Sequence, residues 1–188
     1  MINIIDEFLP KDIYNSVYKK LASNQFKEIE AGDKKFWVQF STPDFDEYVI
    51  DLIKLYEGVE RRNIFSFFRI ATSSVDIDWR IHSDAIINGE RPDRALVLYI
   101  SPSTMDTMHG TAFWRHKELG DFMPKDVSAE DYDRVLLNES NDIEKWDLQS
   151  VIGYKVNRAV CYPSNYFHSK YPNTAWAEGR MVYVMFYK

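Results

Sequence analysis

The sequence predicts a mainly β protein, with an antiparallel β core and two helices packed on one face of that core. The first 60 residues carry two amphipathic helical patterns, and from residue 64 onward short aromatic and β-branched runs alternate with turn residues. The length of 188 residues suits one domain with a substantial core. We therefore expect a single domain over residues 1–188, with helical support in 1–60 and the β core in 64–188.

The two helices are predicted from apolar spacing and from the residues that flank it. Ile13, Val17 and Leu21 recur at every fourth position, which predicts an amphipathic helix that begins near Pro10. A second helical pattern follows Pro43, and Gly58 is the expected stop. Between them, the aromatic run over residues 36–40 predicts a short strand.

Short runs later in the chain supply the remaining strands. The candidates are residues 64–72, 78–83, 94–101, 111–115, 156–162 and 180–187. In the last run, Arg180, Val182, Val184 and Phe186 share one face, and the residues between them share the other. Both faces are largely apolar, so we expect this strand at the centre of a sheet.

Residues 116–155 interrupt the strand pattern with a long polar stretch. The segment from Ser128 to Asp131 matches a capping box and predicts the start of a short helix. Forty residues are long for a connector between two core strands, and such segments are often lids or binding loops. The alternative is a solvated insertion that only shields a sheet edge.

Composition narrows the functional classes and the cellular setting. The net charge of −6 and the pI near 5.3 argue against nucleic acid as a partner, because affinity for phosphate backbones comes from lysine and arginine. Cys161 has no second cysteine to pair with, which fits a reducing compartment. No run resembles a signal peptide or a membrane span, so the expectation is a soluble, cytoplasmic protein. The oligomeric state stays open.

Histidine and aspartate residues suggest a metal site. His82 and Asp84 are two positions apart in a predicted strand and should face the same side. Two histidines and one carboxylate suit a non-haem Fe(II) site that leaves other coordination positions open. The candidates for the third ligand are His109, His116 and His168. His168 follows a strand and precedes Arg180 by twelve residues, so both could face one cavity.

The order of motifs resembles that of the 2-oxoglutarate/Fe(II)-dependent dioxygenases, and the prolyl-4-hydroxylase-like branch is the most similar. The matching motifs are His82-x-Asp84, the strand from Arg94 to Ser101 that contains Tyr99, the turn from Gly110 to Phe113, and His168-x-x-x-Pro172 followed by Arg180. The resemblance covers residues 64–187 and implies a double-stranded β-helix, a jelly roll of the cupin type. It also implies His82, Asp84 and His168 as ligands of Fe(II).

The resemblance further implies roles for the residues around the metal and a type of reaction. Arg180 would pair with the far carboxylate of 2-oxoglutarate, and Tyr99 would be a second donor to it. With O2 as the other co-substrate and ascorbate as an optional reductant, the reaction would hydroxylate a C–H bond and release succinate and CO2. The substrate would be a peptide side chain such as proline, a free amino acid or a small metabolite. Residues that could line the substrate side are Arg94, Trp114, Arg115 and His116.

Other readings of the same residues remain open. A cupin-like isomerase or metal-binding protein without oxidative chemistry would have no need of Arg180 facing the metal. A non-catalytic scaffold would be expected to close its metal shell, commonly around Zn(II) with four protein ligands. Base oxidation on nucleic acid would require a basic groove with stacking aromatics, and the acidic net charge counts against it.

Overall fold

Two antiparallel sheets form the framework of the computed structural model, which describes residues 1–31, 34–72, 74, 80–102, 109–171 and 179–188. The larger sheet has the order β1-β8-β5-β10-β4-β3-β2, and the smaller has the order β7-β6-β9. The strands are β1 Asn3–Ile5, β2 Lys27–Ala31, β3 Lys34–Phe40, β4 Asn63–Ala71, β5 Arg94–Tyr99, β6 Gly110–His116, β7 Trp146–Ile152, β8 Ala159–Pro163, β9 His168–Tyr171 and β10 Arg180–Tyr187. The predicted mainly β, antiparallel class is confirmed.

Two longer helices lie near the N-terminus, where the apolar spacing predicts them. Helix α1 spans Lys11–Ser23 directly after Pro10, and helix α2 spans Pro43–Glu57. Gly58 ends α2 in the left-handed region at φ 69°, and its N–H donates to the carbonyl of Lys54 at 2.8 Å. Glycine suits this position because it has no Cβ to clash there.

The helices cover the outer face of the larger sheet. Leu21 of α1 and Val49 and Ile53 of α2 are buried in one cluster with Tyr183 and Met185 of β10. This confirms the expectation that both helices pack on one face. No helix in the described part of the chain has the length and apolar character to cross a membrane.

Strand β10 lies inside the larger sheet, as its two apolar faces predict. It pairs with β4 on one side and with β5 on the other. Met181, Tyr183, Met185 and Tyr187 contact the helix-covered core, whereas Arg180, Val182, Val184 and Phe186 line a cavity on the inner face. The alternation of the strand therefore brings Arg180 to the inner side of the sheet.

The polar segment 116–155 is less of an insertion than its sequence suggests. Helix α3 spans Ala129–Asp133, and the hydroxyl of its N-cap Ser128 accepts from the N–H of Asp131 at 3.0 Å, as the capping pattern predicts. A π-helical turn, Arg134–Asn138, and a 3-10 turn, Ile143–Lys145, follow. Strand β7 then pairs with β6, so the end of the segment belongs to the smaller sheet. Sequence reasoning missed β7 because polar residues interrupt its apolar ones and residues 147–149 are exposed.

Candidate metal centre

His82 and His168 face each other as a cross-strand pair. The N–H of His82 donates to the carbonyl of His168 at 2.9 Å, and the N–H of His168 donates to the carbonyl of His82 at 2.8 Å. His168 begins β9, but His82 makes only an isolated bridge, which corrects the predicted strand over residues 78–83. Positions 78 and 79 of that run, with Trp79, lie outside the described residues, as does Pro172 of the histidine motif.

Asp84 completes a group that could hold a metal ion. Its Oδ2 lies 3.3 Å from Nε2 of His168, and its Oδ1 lies 3.9 Å from Nε2 of His82. The potential ligand atoms of the three residues all lie within 4.8 Å of one another. The N–H of Asp84 donates to the carbonyl of Ser164 at 2.8 Å, which anchors the backbone of this segment to the turn before β9.

The hydrogen bonds of the two imidazoles suit metal binding. Nδ1 of His82 lies 2.9 Å from the carbonyl of Arg80, and Nδ1 of His168 lies 2.9 Å from the carbonyl of Tyr166. A carbonyl oxygen can only accept, so we assign the proton of each neutral ring to Nδ1. The lone pair of each Nε2 then faces the shared centre, in the tautomer that a metal requires.

The carboxylate of Asp84 is held in its ionised form. Burial raises its pKa, but the charges that His168 and His82 carry when their rings are protonated, a hydrogen bond from protonated His168 and the charge of Arg69 together outweigh burial, and the net pKa lies below the ordinary value. An ionised carboxylate is the form that ligates a metal. The donor set therefore fits Fe(II) with respect to both ligand type and protonation.

Arg180 lies in the same cavity as the three potential ligands. It is 7% exposed, and its Nη2 donates to the carbonyl of Gly110 at 3.3 Å. Its Cζ lies 5.3 Å from the ring centroid of Tyr99, and burial lowers the pKa of its guanidinium. A planar guanidinium in a buried setting can donate two parallel hydrogen bonds to a carboxylate.

Tyr99 lies behind the cavity. Its hydroxyl is 2.8 Å from Oγ1 of Thr111, and it donates to the carbonyl of Ile152 at 3.4 Å. The side chain is fully buried, and burial raises its pKa, so the phenol is neutral. Thr111, to which Tyr99 is hydrogen-bonded, lines the cavity, whereas Tyr99 does not. Contact between Tyr99 and the co-substrate therefore stays a prediction.

Tyr162 is a cavity residue that sequence reasoning missed. Its hydroxyl lies 3.1 Å from Nε2 of His168, and burial raises its pKa well above the usual value. Strand alternation places Val160 and Tyr162 on the same face of β8, and this can be predicted from the sequence because the two residues are two positions apart. Strand β8 belongs to the larger sheet and β9 to the smaller one, so only the packing of the two sheets brings the hydroxyl to the histidine.

Arg94 does not contribute to the cavity. Its Nε forms an ion pair with Oε1 of Glu57 at 2.8 Å and donates to the hydroxyl of Tyr187 at 3.2 Å. Glu57 is the last residue of α2, and Tyr187 faces the helix-covered core. The expectation of a substrate contact is therefore corrected: Arg94 joins β5 to α2 on the outer face of the sheet.

The three residues predicted from β6 also lie elsewhere. Phe113 packs between the sheets, so Trp114 faces the opposite side, where its Nε1 donates to Oγ of Ser169 at 2.9 Å. His116 is fully buried, and its Nε2 donates to Oε2 of Glu139 at 2.9 Å. Arg115 is exposed and contacts Oδ1 of Asp121 at 3.4 Å. None of the three lines the cavity, and the prediction is corrected for each.

Comparisons with known proteins give similarity in structure but not in sequence. Protein-family sequence models give no match, and neither do curated protein sequences. HygX from Streptomyces hygroscopicus, solved with nickel and 2-oxoglutarate bound, is 11% identical, and the match covers 99% of this chain and 82% of HygX with a TM-score of 0.61. A prolyl-4-hydroxylase from Pseudomonas putida is 12% identical, with 100% and 91% covered and a TM-score of 0.57. SnoN, a non-haem alpha-ketoglutarate-dependent epimerase of nogalamycin biosynthesis, is 11% identical, with 99% and 77% covered and a TM-score of 0.61.

These similarities define the class of fold. The chain has the double-stranded β-helix, or jelly roll, seen in structures of 2-oxoglutarate-dependent non-haem enzymes. The fold implied by the sequence motifs is confirmed. Because fold does not determine function, the chemistry has to be argued from the chain's own residues.

Proposed function

We propose that this protein is a non-haem Fe(II)/2-oxoglutarate-dependent oxygenase. The observation that carries the proposal is the presence of His82, Asp84 and His168 in one cavity with the buried Arg180. Three ligands on one face of an iron ion leave positions open for small ligands. Within the described residues the group has three donors, one fewer than a structural zinc site commonly uses.

The residues divide the work between holding the metal and orienting the co-substrate. When bound, Fe(II) and 2-oxoglutarate would supply the oxidising chemistry, in which O2 is consumed, succinate and CO2 are released and a substrate C–H bond is hydroxylated. His82 and His168 would bind the iron through Nε2, because the Nδ1 hydrogen bonds fix both rings. Arg180 would fix the far carboxylate of the co-substrate. Ascorbate is an optional reductant that this assignment does not require.

The proposed substrate is a small molecule or a peptide side chain, with proline, a free amino acid and a small metabolite as the classes considered. Two features support this range: a cavity of about 500 Å³ beside the metal group and the acidic net charge, which disfavours nucleic acid. The similarity in fold to a prolyl-4-hydroxylase adds weight to a peptide proline.

A second candidate function is an isomerase-type reaction. SnoN, which shares this fold, is an alpha-ketoglutarate-dependent epimerase. The cupin-like alternative without oxidation would leave Arg180 without a co-substrate to bind. Analysis of the product and of the co-substrate separates the three hypotheses. Hydroxylation adds oxygen to the substrate, and epimerisation changes only its stereochemistry. The cupin-like hypothesis predicts that no 2-oxoglutarate is consumed.

The direct test is anaerobic addition of Fe(II) and 2-oxoglutarate, followed by a search for the weak visible charge-transfer band of the chelate. We expect the band in the native chain and its loss in His82→Ala. A matched control is His109→Ala, because His109 lies outside the described ligand group. No band in the native chain, or an undiminished band in His82→Ala, would contradict the assignment.

A further inference from the structure

The cavity changes character along the larger sheet. Neighbouring strands place Arg180 beside Ala71, Val182 beside Arg69, Val184 beside Phe67, and Phe186 beside Phe65. The two cross-strand pairs that contain an arginine therefore lie at the start of β10. The two pairs that contain phenylalanine, which we call the apolar rows, lie four and six residues further along the strand than Arg180. At about 3.4 Å per residue, the apolar rows are roughly 14 and 20 Å from the row of Arg180.

Phenylalanine side chains form the apolar part of this surface. We call Phe65, Phe67 and Phe186, which all line the cavity, the phenylalanine wall. The ring centroids of Phe65 and Phe67 are 5.3 Å apart, and those of Phe67 and Phe186 are 6.5 Å apart. Phe40 continues the wall outward, with its centroid 6.4 Å from that of Phe65.

Within the described residues, the outer part of this wall is only partly covered, whereas Phe186 at its inner edge is 5% exposed. On the inner face at β5 and β8, Val97 is 8% exposed and Tyr162 is 1% exposed. Further across the sheet, Phe65 and Phe67 are only half-buried, and Phe40 is 64% exposed. Contiguous apolar surface of this kind commonly marks a binding site, because its contact with water is unfavourable.

The cavity is also lined by polar residues such as Asn88, Asp133 and Lys170, and by four aliphatic side chains from outside the two sheets. The aliphatic residues are Ile86, Ile87, Leu136 and Leu137, and among them Leu137 is 58% exposed and Ile86 46% exposed. The cavity of about 500 Å³ is in the size range of small-molecule sites, and it also contains His82, Asp84 and His168. A molecule on the phenylalanine wall therefore shares one cavity with the proposed metal.

We propose that the primary substrate carries a hydrocarbon group of several carbon atoms, aliphatic or aromatic, that binds on the phenylalanine wall. The occupant is a small molecule with an apolar part and not a small polar metabolite such as a free polar amino acid. The co-substrate does not account for the wall, because Arg180, its proposed partner, lies at the other end of β10. This inference rests on the proposed function for the reaction, but the binding of a hydrocarbon is independent of the metal.

The test is calorimetric binding of the linear alcohols from 1-butanol to 1-octanol to the full chain. We expect affinity to rise about fourfold per methylene, the increment for transfer of a methylene group out of water. Phe67→Ser should lower the affinity for 1-octanol about tenfold, and Phe67→Leu should retain most of it. Val184→Thr changes the shape of the side chain little and should lower the affinity for 1-octanol about threefold. This variant provides the test if Phe67→Ser fails to fold.

The control is Phe122→Ser, which removes a phenylalanine that is 39% exposed and lies outside the cavity. It should leave alcohol binding unchanged. The inference is overturned by affinity that does not depend on chain length, by equal losses in Phe122→Ser and Phe67→Ser, or by a native chain that binds no alcohol because its own residues cover the wall. Alcohol binding without the charge-transfer band would defeat only the proposed function, and the reverse result would defeat only this inference.

Discussion

At the scale of single residues, hydrogen bonds to the backbone prepare the metal group. The Nδ1 atoms of His82 and His168 are each held by the carbonyl two positions earlier in the chain. The two rings therefore need little reorganisation to present Nε2 to a metal, which lowers the entropic cost of binding. The geometry of the metal group therefore depends on these backbone hydrogen bonds as well as on the three ligand side chains.

Arg180 provides the sharpest prediction at this scale. Arg180→Lys keeps the charge but loses the planar fork, so we expect the Kd of 2-oxoglutarate to rise about tenfold or more. Calorimetric titration of 2-oxoglutarate into the protein loaded with Mn(II) would measure it. Arg115→Lys is the matched control, because Arg115 is exposed and contacts Asp121 outside the cavity. Unchanged affinity in Arg180→Lys would mean that the guanidinium does not bind the co-substrate.

At the scale of elements, close contact between β6 and β7 holds the smaller sheet together. A Cβ atom added at Gly110 would lie 1.8 Å from the carbonyl oxygen of Ile152. That oxygen belongs to the backbone of the paired strand β7, which cannot easily move away. We expect Gly110→Ala to lower the free energy of unfolding by about 3 kcal/mol or more, measured by urea denaturation. Gly89→Ala, with φ 78° and no neighbour within 4 Å of the added Cβ, should cost only about 1 kcal/mol. Similar losses in both variants would contradict the proposed clash.

The joint between β5 and α2 depends on Arg94 and Glu57. Both side chains are largely buried, at 14% and 7% exposure, and Arg61 is a second partner of Glu57. Arg94→Ala should therefore lower the free energy of unfolding by about 2 kcal/mol, because Glu57 keeps Arg61 as a charged partner. Arg62→Ala, which removes an exposed ion pair with Glu90, should leave the free energy of unfolding nearly unchanged. If Arg94→Ala instead weakened co-substrate binding at unchanged stability, the structural assignment of Arg94 would be wrong.

At the scale of the whole molecule, an ion-pair cluster joins the N-terminal segment to the turn before β8. Asp6 accepts from Nε of Arg158 at 2.6 Å and from Nζ of Lys155 at 2.8 Å. These two hydrogen bonds, that of Arg158 first, lower the pKa of Asp6 to about 2 from the usual 3.8. Because the folded pKa is depressed, the stabilisation is complete above about pH 4 and is lost as the pH falls toward 2.

The corresponding prediction concerns the pH dependence of the melting temperature. Asp6→Asn should lower the melting temperature at pH 7, and the difference from the native chain should shrink as the pH falls from 4 to 2. Thermal unfolding at several pH values in this range would measure it. Asp147→Asn, at an exposed position of β7, serves as the control. A difference that stays constant down to pH 2 would exclude the ion pair as its cause.

The sequence predicted the elements with strong periodic or capping signals. Both long helices, the end of α2 at Gly58, the helix after Ser128 and the two faces of β10 follow from local rules of spacing and capping. Strands β1, β2 and β9 have three to five residues and were missed, because so few residues give no clear period. Strand β7 was missed for a different reason: polar residues interrupt its apolar ones, and residues 147–149 are exposed.

By itself, the sequence determined the class of fold and the identity of the residues that could form a metal group. His82, Asp84, His168 and Arg180 could be named because their order along the chain resembles a known pattern. Tertiary structure decided which side chains share a cavity. It placed Tyr162 beside His168, assigned Arg94 and His116 to structural contacts, and left the phenylalanine wall open to the metal group. The physical reason is that strand alternation is local, whereas the neighbours that a face meets depend on how distant strands pair.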